Sequence, residues 1–271
     1  MKLIKIIGLF CLFCLTFFYT EKVINVTMNQ DEIMIRIKEE AKKINYEPTD
    51  AIINNDTIIP GNIGKQIDEE ASYKAMKKIN YFDPSLIIYK NIYPETSIYN
   101  NYNKYIIKGN IWKKSVSLIY ILNNNTIDNV LDIINKYNLK INIFIDSSYL
   151  GNNISIIDKI KNHEIYNYGN NGIYSKDNLI ISNNIINNKA NNKAIYCLFI
   201  NKDENSLANC ANNKMHSIFI NKNDSYNNLK SALYNGRIFL ITNTYELPNV
   251  IEYILSKGYN IVPLSEIITE S

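Results

Sequence analysis

The chain has 271 residues, of which 46% are hydrophobic and 20% are charged, and its formal net charge is +3. This composition excludes a disordered chain and is typical of a folded protein with a sizeable core. Because the net charge is small, it gives no electrostatic reason for a nucleic-acid partner, and we expect none. The chain is rich in Asn and Tyr and has only 9 Gly and 6 Pro, so a single Asn is weak evidence for function.

A basic start followed by an apolar run opens the chain. Lys2 and Lys5 precede an uncharged stretch from Ile6 to Tyr19, which is the pattern of a secretory signal. No small-residue cleavage site follows, so we favour a signal anchor over residues 1–22, with a cleaved and secreted form as the alternative. The rest of the chain is then membrane-anchored and extracytoplasmic. A buried helix of a cytosolic protein fits less well, because the run has no polar face.

Residues 23–110 are predicted to form a small α+β region followed by a linker. Two segments repeat apolar residues at helical spacing, and short apolar runs beside turn residues predict strands. The predicted helices cover 31–44 and 69–80, the predicted strands cover 51–54, 57–59 and 86–89, and the predicted linker covers 99–105.

Residues 111–271 alternate short apolar strands with amphipathic helices. The predicted strands lie at 116–122, 141–145, 164–168, 194–200, 217–220, 237–241 and 260–263. The predicted helices lie at 126–136, 154–161, within 177–190, and at 206–213, 226–233 and 247–257. Thr126 is expected to cap the first of these helices, and Gly258 to close the last. The alternation predicts an α/β fold with parallel strands, either a barrel or a doubly wound sheet.

Four phrases in this second region resemble one protein family, and they occur in that family's order. They are Val130–Phe144, Lys161–Asn167, Asn235–Ile241 and Ile251–Glu266. These phrases are similar to those of the NodB-homology polysaccharide deacetylases. The resemblance implies a distorted (β/α)7 barrel that removes N-acetyl or O-acetyl groups from polymers such as peptidoglycan, using a divalent metal such as zinc. Residues 59–89 also resemble the front region of sporulation-associated, membrane-anchored members from Bacillota.

The positions where this family carries its catalytic groups hold other residue types in this chain. The paired aspartates fall on Ile121 and Leu122, the HxxxH histidines on Tyr168 and Gly172, the RPPYG motif on Leu198–Lys202, and the late histidine on Thr242. Apolar side chains cannot bind a divalent cation, and a neutral amide is a poor general base. We therefore expect no catalytic residue, no metal site and no cofactor.

The remaining metal-binding side chains give a weak alternative. The two histidines, His163 and His216, open predicted strands. Because barrel sites lie at the carboxyl ends of strands, we expect both at the opposite face and assign neither a catalytic role. A rebuilt cation site could use only acidic loop residues, namely Asp146, Asp203, Glu204 and Asp224.

Cys197 and Cys210 lie on a predicted strand and on the helix that follows it. They could pair in an oxidising compartment. A strand and its following helix often hold two cysteines too far apart for a disulfide, so the sequence leaves the pairing open.

Polar residues follow most of the predicted strands. Amides and hydroxyls can hydrogen-bond to sugar hydroxyls, and tyrosine rings can stack on sugar faces. The candidate glycan-binding residues are Asn124, Asp146, Tyr168, Asn171, Asn201, Asp203, Asn223 and Asn243. Ordinary loop polarity in an Asn-rich chain is the alternative explanation.

The sequence therefore predicts a cell-envelope, deacetylase-like protein that has lost its activity and binds cell-wall glycan or an envelope protein. One alternative is an active deacetylase with an unrecognised site, which predicts bound metal and acetate release. The other is an interaction protein that works through its N-terminal region, with the second region as a spacer.

Overall fold

A computed structural model describes residues 10, 12–16, 19, 22–23, 26–124, 127–220 and 232–271. These residues form two compact units: Met1–Pro48 with Ile63–Tyr93, and Thr49–Asn62 with Pro94–Ser271. Most of the predicted signal anchor lies outside the described residues, as do Thr126 and most of the predicted helix at 226–233. Within the described part, no helix is both long and apolar enough to cross a membrane.

The elements are numbered here in chain order. The described strands are β1 (Ile52–Asn54), β2 (Thr57–Ile59), β3 (Gly64–Ile67), β4 (Tyr89–Ile92), β5 (Tyr105–Ile106), β6 (Ser115–Leu122), β7 (Asn142–Ile145), β8 (Glu164–Asn167), β9 (Tyr196–Phe199), β10 (His216–Phe219), β11 (Arg237–Leu240) and β12 (Asn260–Ile261). The described helices are α1 (Glu32–Ile44), α2 (Glu69–Lys77), α3 (Asp128–Lys136), α4 (Ser147–Asn152), α5 (Ile156–Ile160), α6 (Lys176–Lys189), α7 (Glu204–Asn212), α8 (Leu247–Ser256) and α9 (Leu264–Ile267).

Two local predictions need correction. The strand predicted at 86–89 is displaced, because Pro84 starts a 3-10 turn over Pro84–Leu86 and the strand begins only at Tyr89. The linker predicted at 99–105 is structured as well. It holds part of a second 3-10 turn and ends in β5, a two-residue strand that pairs in parallel with β2 and β10. So short a strand has little local signal and forms because of its neighbours.

The first unit packs α1 against α2 and against β3, and β3 pairs antiparallel with β4. Its core contains Ile37 and Met76, both fully buried. Asp31 caps α1 by accepting a hydrogen bond from the Ile33 N–H at 3.0 Å, and its other oxygen lies 2.6 Å from Lys77 Nζ on α2. One carboxylate therefore both starts the first helix and joins it to the second.

The strands of the second unit, as far as the structure describes them, form two sheets. One has the order β1-β2-β5-β10-β9, and the other has the order β11-β6-β7-β8 with β12 also beside β6. Every pair except β1–β2 is parallel. The unit is thus an α/β fold with parallel strands, as predicted. Its first sheet includes β1 and β2, which the sequence analysis placed in the front region.

Apolar side chains cover both faces of these strands. One core cluster contains residues from both sheets, including Ile119 and Phe144 from one and Leu198 and Ile218 from the other. A second cluster places alternate residues, such as Leu118 on β6, against the helices. This two-sided burial explains why the strands are nearly continuous apolar runs in the sequence.

At the facing edges of the two sheets, β8 and β9, the Tyr174 side chain bridges both strands and the Asn192 side chain completes the edge of β8. The Tyr174 hydroxyl accepts a hydrogen bond from the Leu198 N–H at 2.7 Å and can donate to the Asn167 carbonyl at 3.1 Å. The Asn192 side chain accepts from the Ile165 N–H and donates to the Ile165 carbonyl, both at 2.9 Å. Polar groups on both edges are thus satisfied without a direct ladder, and we call this junction the seam.

Cys197 on β9 and Cys210 on α7 form a disulfide, with a Cα–Cα distance of 6.5 Å. Both residues are fully buried. The geometric objection raised by their strand and helix positions therefore does not apply, because α7 packs directly over the sheet.

Candidate functional site

The upper face of the second unit comprises the residues at or directly after the carboxyl ends of its parallel strands. It holds a cleft of about 680 Å3, called here the main cleft. The polar residues that line it are Asn123, Asn129, Asn171, Thr242, Asn243 and Thr244. The aromatic and apolar residues that line it are Tyr120, Ile121, Tyr168, Ile200, Leu240 and Ile241. Among the described residues, this lining contains no acid, no histidine, no lysine and no arginine.

A smaller cleft of about 360 Å3, called the side cleft, lies beside it. Asn123 and Asn171 line both clefts. The other residues of the side cleft are Asn124, Asp146, Ser148, Tyr149, Asn152 and Asn153. The two clefts are therefore neighbours with a shared wall of amide side chains.

The structure brings together some of the positions that resemble the deacetylase motifs. The main cleft is lined by Ile121 near the end of β6, Tyr168 directly after β8, Ile200 directly after β9 and Thr242 after β11. Leu122, Gly172 and the other positions of the RPPYG match do not line it. Leu122 is fully buried in the cluster that packs against the helices.

Tyr168 and Gly172 occupy the positions of the two metal-binding histidines. Only 8% of Tyr168 is exposed. The pKa of its hydroxyl is raised mainly by this burial and also by the negative charge of Asp146. Gly172 has a φ of +84°, and a Cβ there would lie 3.2 Å from the Tyr168 hydroxyl oxygen. The tyrosine thus fills the space that a side chain at position 172 would need.

This geometry gives a test at Gly172. Gly172→Ala is expected to lower the free energy of unfolding by about 1–2 kcal/mol, because an L-residue is strained at positive φ. Gly151→Ala is the control: Gly151 lies in α4 with nothing within 4 Å of an added Cβ, so alanine there should be neutral or stabilising. Urea denaturation of both variants checks this, and equal stabilities would contradict it.

The predicted glycan-binding residues fall into three groups. Asn124, Asp146, Tyr168, Asn171 and Asn243 line one or both clefts. Asn201 and Asp203 line neither, and Asn223 lies outside the described residues. Asp203 caps α7 by accepting a hydrogen bond from the Ser206 N–H at 2.8 Å, which accounts for that side chain without a ligand.

Asp146 is buried, and its carboxylate is fully engaged by the backbone. One oxygen accepts from the Ser148 and Tyr149 N–H groups, at 2.9 and 3.2 Å, and so caps α4. The other accepts from the Asn171 N–H at 2.7 Å. Asp146 therefore fixes the shared wall of the two clefts, and both of its oxygens already accept hydrogen bonds from the backbone.

The other buried acids of the second unit also hold the fold together. Glu164, the first residue of β8, accepts from the Ser265 N–H at 3.1 Å and from the Tyr166 hydroxyl at 2.6 Å. It thereby joins the first turn of α9 to β8 at the lower face, where the strands begin. Glu270 accepts from the Ser97 hydroxyl at 2.5 Å and from the Ile98 N–H at 2.9 Å.

Both histidines lie at the lower face, as expected from their positions at strand starts. His163 Nδ1 accepts a hydrogen bond from the Ile141 N–H at 3.5 Å. The pKa of this imidazole is lowered mainly by burial and also by the positive charge of Lys140. His216 is enclosed by tyrosine rings, and burial lowers its pKa to about 4. Neither imidazole reaches the upper face.

The described residues of the upper face do not fit a divalent cation. The described part of the chain has no group of three or more His, Cys, Asp or Glu side chains that could hold a metal ion. Of the four acids considered for a rebuilt site, Asp146 and Asp203 are helix caps, Glu204 lies in the first turn of α7 and Asp224 is outside the described residues.

Sequence reasoning missed some cleft residues. Tyr149 and Asn152 belong to α4, and Asn153 directly follows it; this helix was not predicted. Its signal was present in the run Asp146-Ser147-Ser148, where an acid and two hydroxyls are typical of a helix start. Tyr120 and Asn129 line the main cleft but lie within a strand and a helix, so they were not considered with the loops.

Comparisons with known proteins agree with this description. No family model matches the chain. The "Uncharacterized protein YlxY" of Bacillus subtilis (strain 168) is 27% identical over 153 residues, which cover 55% of this chain and 48% of the relative. The chain thus matches about half the length of that relative.

Two solved structures of one protein match over nearly the whole chain. Wild-type BA3943 from Bacillus anthracis, described as a CE4 family pseudoenzyme, is 23% identical with a TM-score of 0.60, covering 89% of this chain and 96% of its own. A BA3943 mutant described as a pseudoenzyme with restored enzymatic activity is 21% identical with a TM-score of 0.63, covering 89% and 99%. Together with the four sequence phrases, these likenesses confirm the resemblance: the chain has the fold of the family 4 carbohydrate esterases, the polysaccharide deacetylases.

Proposed function

We propose that this protein is a deacetylase-like pseudoenzyme that binds cell-envelope glycan at its upper face without hydrolysing acetyl groups. One observation carries the proposal. The positions that converge at the upper face hold apolar, aromatic or neutral polar side chains, while every buried acid and imidazole described in the second unit is engaged in contacts within the fold. Metal-dependent deacetylation needs a cation and a base, and the described residues of the upper face provide neither a metal ligand set nor a free base.

We also infer that the two sheets curve together as the distorted barrel of this family. The shared core cluster supports this, because it places side chains of both sheets against each other. So does the seam, where Tyr174 and Asn192 complete the polar groups of the facing edges.

The chemistry of the main cleft supports a sugar ligand. Its volume falls within the usual range of about 300–1,000 Å3 for small-molecule sites. Amides and hydroxyls of the lining can exchange hydrogen bonds with sugar hydroxyls. Tyr120 and Tyr168 also line the cleft, but each is only 8% exposed, so neither offers an open ring face. BA3943, a pseudoenzyme of the same fold, supports the idea that this scaffold is retained without activity.

We place the protein outside the cytoplasm, anchored by residues 1–22 or released by cleavage. The basic start and the apolar run support this location, and the Cys197–Cys210 disulfide supports it independently, since such bonds persist in oxidising compartments. The resemblance of residues 59–89 to sporulation-associated proteins supports a role in the sporulation envelope.

The test is to incubate the full chain with N-acetylated peptidoglycan and to measure bound protein, released acetate and bound metal. We expect binding, with acetate release no higher than in buffer. Thr242→Val removes a cleft hydroxyl and should weaken binding about fivefold, the effect of losing one hydrogen bond of about 1 kcal/mol. Thr96→Val makes the same change away from both clefts and should leave binding unchanged.

Two results would overturn the proposal in different ways. Acetate release with bound metal would establish an active deacetylase. Failure of the wild-type chain to bind glycan would reject the upper face as a sugar site and leave an envelope protein, bound through the N-terminal region, as the partner.

A further inference from the structure

Strand β4 of the first unit has one paired edge and one open edge. β3 covers the inner edge, with Gly64 opposite Ile92 and Ile67 opposite Tyr89. No described strand pairs with the outer edge, and every residue of β4 except Ile92 is exposed. Because an open strand edge is a template for pairing with another chain, β4 is a place where the first unit can accept an added strand.

The hydrogen bonds of β3 show which residues of β4 face this open edge. Lys65 exchanges two backbone hydrogen bonds with Tyr46, each at 3.0 Å, on the side of β3 away from β4. Opposite residues of an antiparallel pair alternate between bonded and non-bonded pairs. Lys65 and Asn91, which lie opposite each other, are therefore a non-bonded pair. It follows that the backbone groups of Asn91, and of Tyr89 two residues earlier, point to the open edge.

The outer edges of the two strands differ in how their polar groups are satisfied. On β3, the Asn45 side chain accepts from the Ile67 N–H at 2.8 Å, in addition to the backbone pair just described. On β4, no described residue bonds to the outward backbone groups of Tyr89 and Asn91. These groups are left to water, and a second strand can replace that water with regular backbone hydrogen bonds.

Two lysines give this edge a positive charge. β3 and β4 together contain Lys65 and Lys90 and no acid. Neither lysine forms an ion pair with a described residue. Lys90 is exposed on β4 itself, and Lys65 Nζ reaches across to lie 3.9 Å from the centre of the Tyr89 ring. The two lysines lie on opposite faces of the strand pair, because Lys65 is opposite Asn91 and successive residues alternate between faces.

These side chains select the kind of strand that can pair here. The side chain of an added strand that lies beside Lys90 is about 4.5–5.5 Å from it, so an acid is attracted there and a base is repelled. The neighbouring side chains of the added strand fall on the other face, beside the exposed ring of Tyr89. Apolar groups gain contact on that face. A second copy of this chain is disfavoured, because it brings the same two cations.

We propose that β4 binds an extended, acidic segment of a partner protein, which joins the sheet as an added strand. In that segment, acids lie on the face of Lys90 and alternate with apolar residues on the face of Tyr89. This surface belongs to the first unit, and the inference does not depend on glycan binding at the upper face.

Fluorescence anisotropy of the full chain with two labelled peptides tests the charge selection. One peptide alternates valine with glutamate, and the other alternates valine with lysine. The glutamate peptide should bind at least about tenfold more tightly than the lysine peptide. Lys90→Glu should reverse this preference. Lys42→Glu makes the same charge change at an exposed position of α1 and should leave the preference as it is in the wild type.

A second test concerns the backbone of β4. Asn91→Pro removes an outward N–H without removing a bond to β3, and it should weaken binding of the glutamate peptide at least about tenfold. Because proline could disturb the strand, hydrogen exchange of the wild type gives a separate measure. The amide protons of Tyr89 and Asn91 should exchange at least about tenfold more slowly with the peptide bound, whereas that of Lys90, which faces β3, should not change.

Several outcomes would overturn this inference while leaving the proposed function intact. They are equal affinity for the two peptides, no binding of either, and unchanged exchange at Tyr89 and Asn91. A dimer of the free chain that Asn91→Pro dissociates would assign the edge to a second copy instead. Binding to anionic lipid vesicles that Lys90→Glu abolishes, without binding of the glutamate peptide, would assign it to a membrane surface.

Discussion

Tyr174→Phe is expected to lower the free energy of unfolding by about 2–4 kcal/mol. The ring is almost fully buried, and its hydroxyl accepts from the Leu198 N–H and can donate to the Asn167 carbonyl across the seam. Phenylalanine keeps the packing but leaves polar groups on both strands without partners. A buried polar group that loses its partner costs about 1–3 kcal/mol.

Urea denaturation at neutral pH, followed by circular dichroism, measures this loss. Tyr245→Phe removes the same hydroxyl from a side chain that is 92% exposed, and we expect it to change stability by less than about 0.5 kcal/mol. If the two variants were equally stable, the Tyr174 hydroxyl would not be what joins the sheets.

Stability is expected to fall as the pH is lowered from about 6.5 to about 4. His216 packs among Tyr99, Tyr102 and Tyr196, with ring centroids 4.7 to 6.0 Å apart. Burial lowers the pKa of this imidazole to about 4, whereas an unfolded histidine titrates near 6.5. Between these two pKa values the unfolded chain binds a proton that the folded chain does not. The contribution of His216 to the free energy of unfolding is therefore present above pH 6.5 and is lost as the pH falls toward 4. The complete loss amounts to about 3 kcal/mol.

Denaturation curves at pH 7, 5.5 and 4 check this, with His216→Phe as the comparison because carboxylates also titrate in the range. The variant should lose less stability than the wild type between pH 7 and pH 4. His163→Phe should show a change in the same direction, since burial also lowers the pKa of His163. An identical pH dependence in wild type and His216→Phe would refute the assignment.

Much of the fold could be predicted because its information is local. The run from Val116 to Leu122 is too apolar for anything but a covered strand, and the spacing in 247–257 gives a helix that ends before Gly258. The seam could not be predicted, because Tyr174 and Asn192 act on backbone groups that only the folded chain brings near. The two-residue strand β5 was missed for the same reason: its pairing partners β2 and β10 are distant in sequence.

The candidate site was predicted with mixed success. Ile121, Tyr168 and Thr242 do converge, and four phrases in order were enough to place them. Alternation along the strand could not have excluded Leu122, because Tyr120 lies on the same side of β6 and still lines the main cleft. Asp146 and Asp203 each stand directly before a helix, and this position could have identified both as caps.

The contact between Tyr168 and Gly172 has an evolutionary consequence. An imidazole introduced at 172 alone would meet the phenol, and one introduced at 168 alone would face a glycine and find no second ligand there. A histidine pair at these two positions therefore requires both codons to change together, because either change alone leaves the tyrosine or the glycine in place.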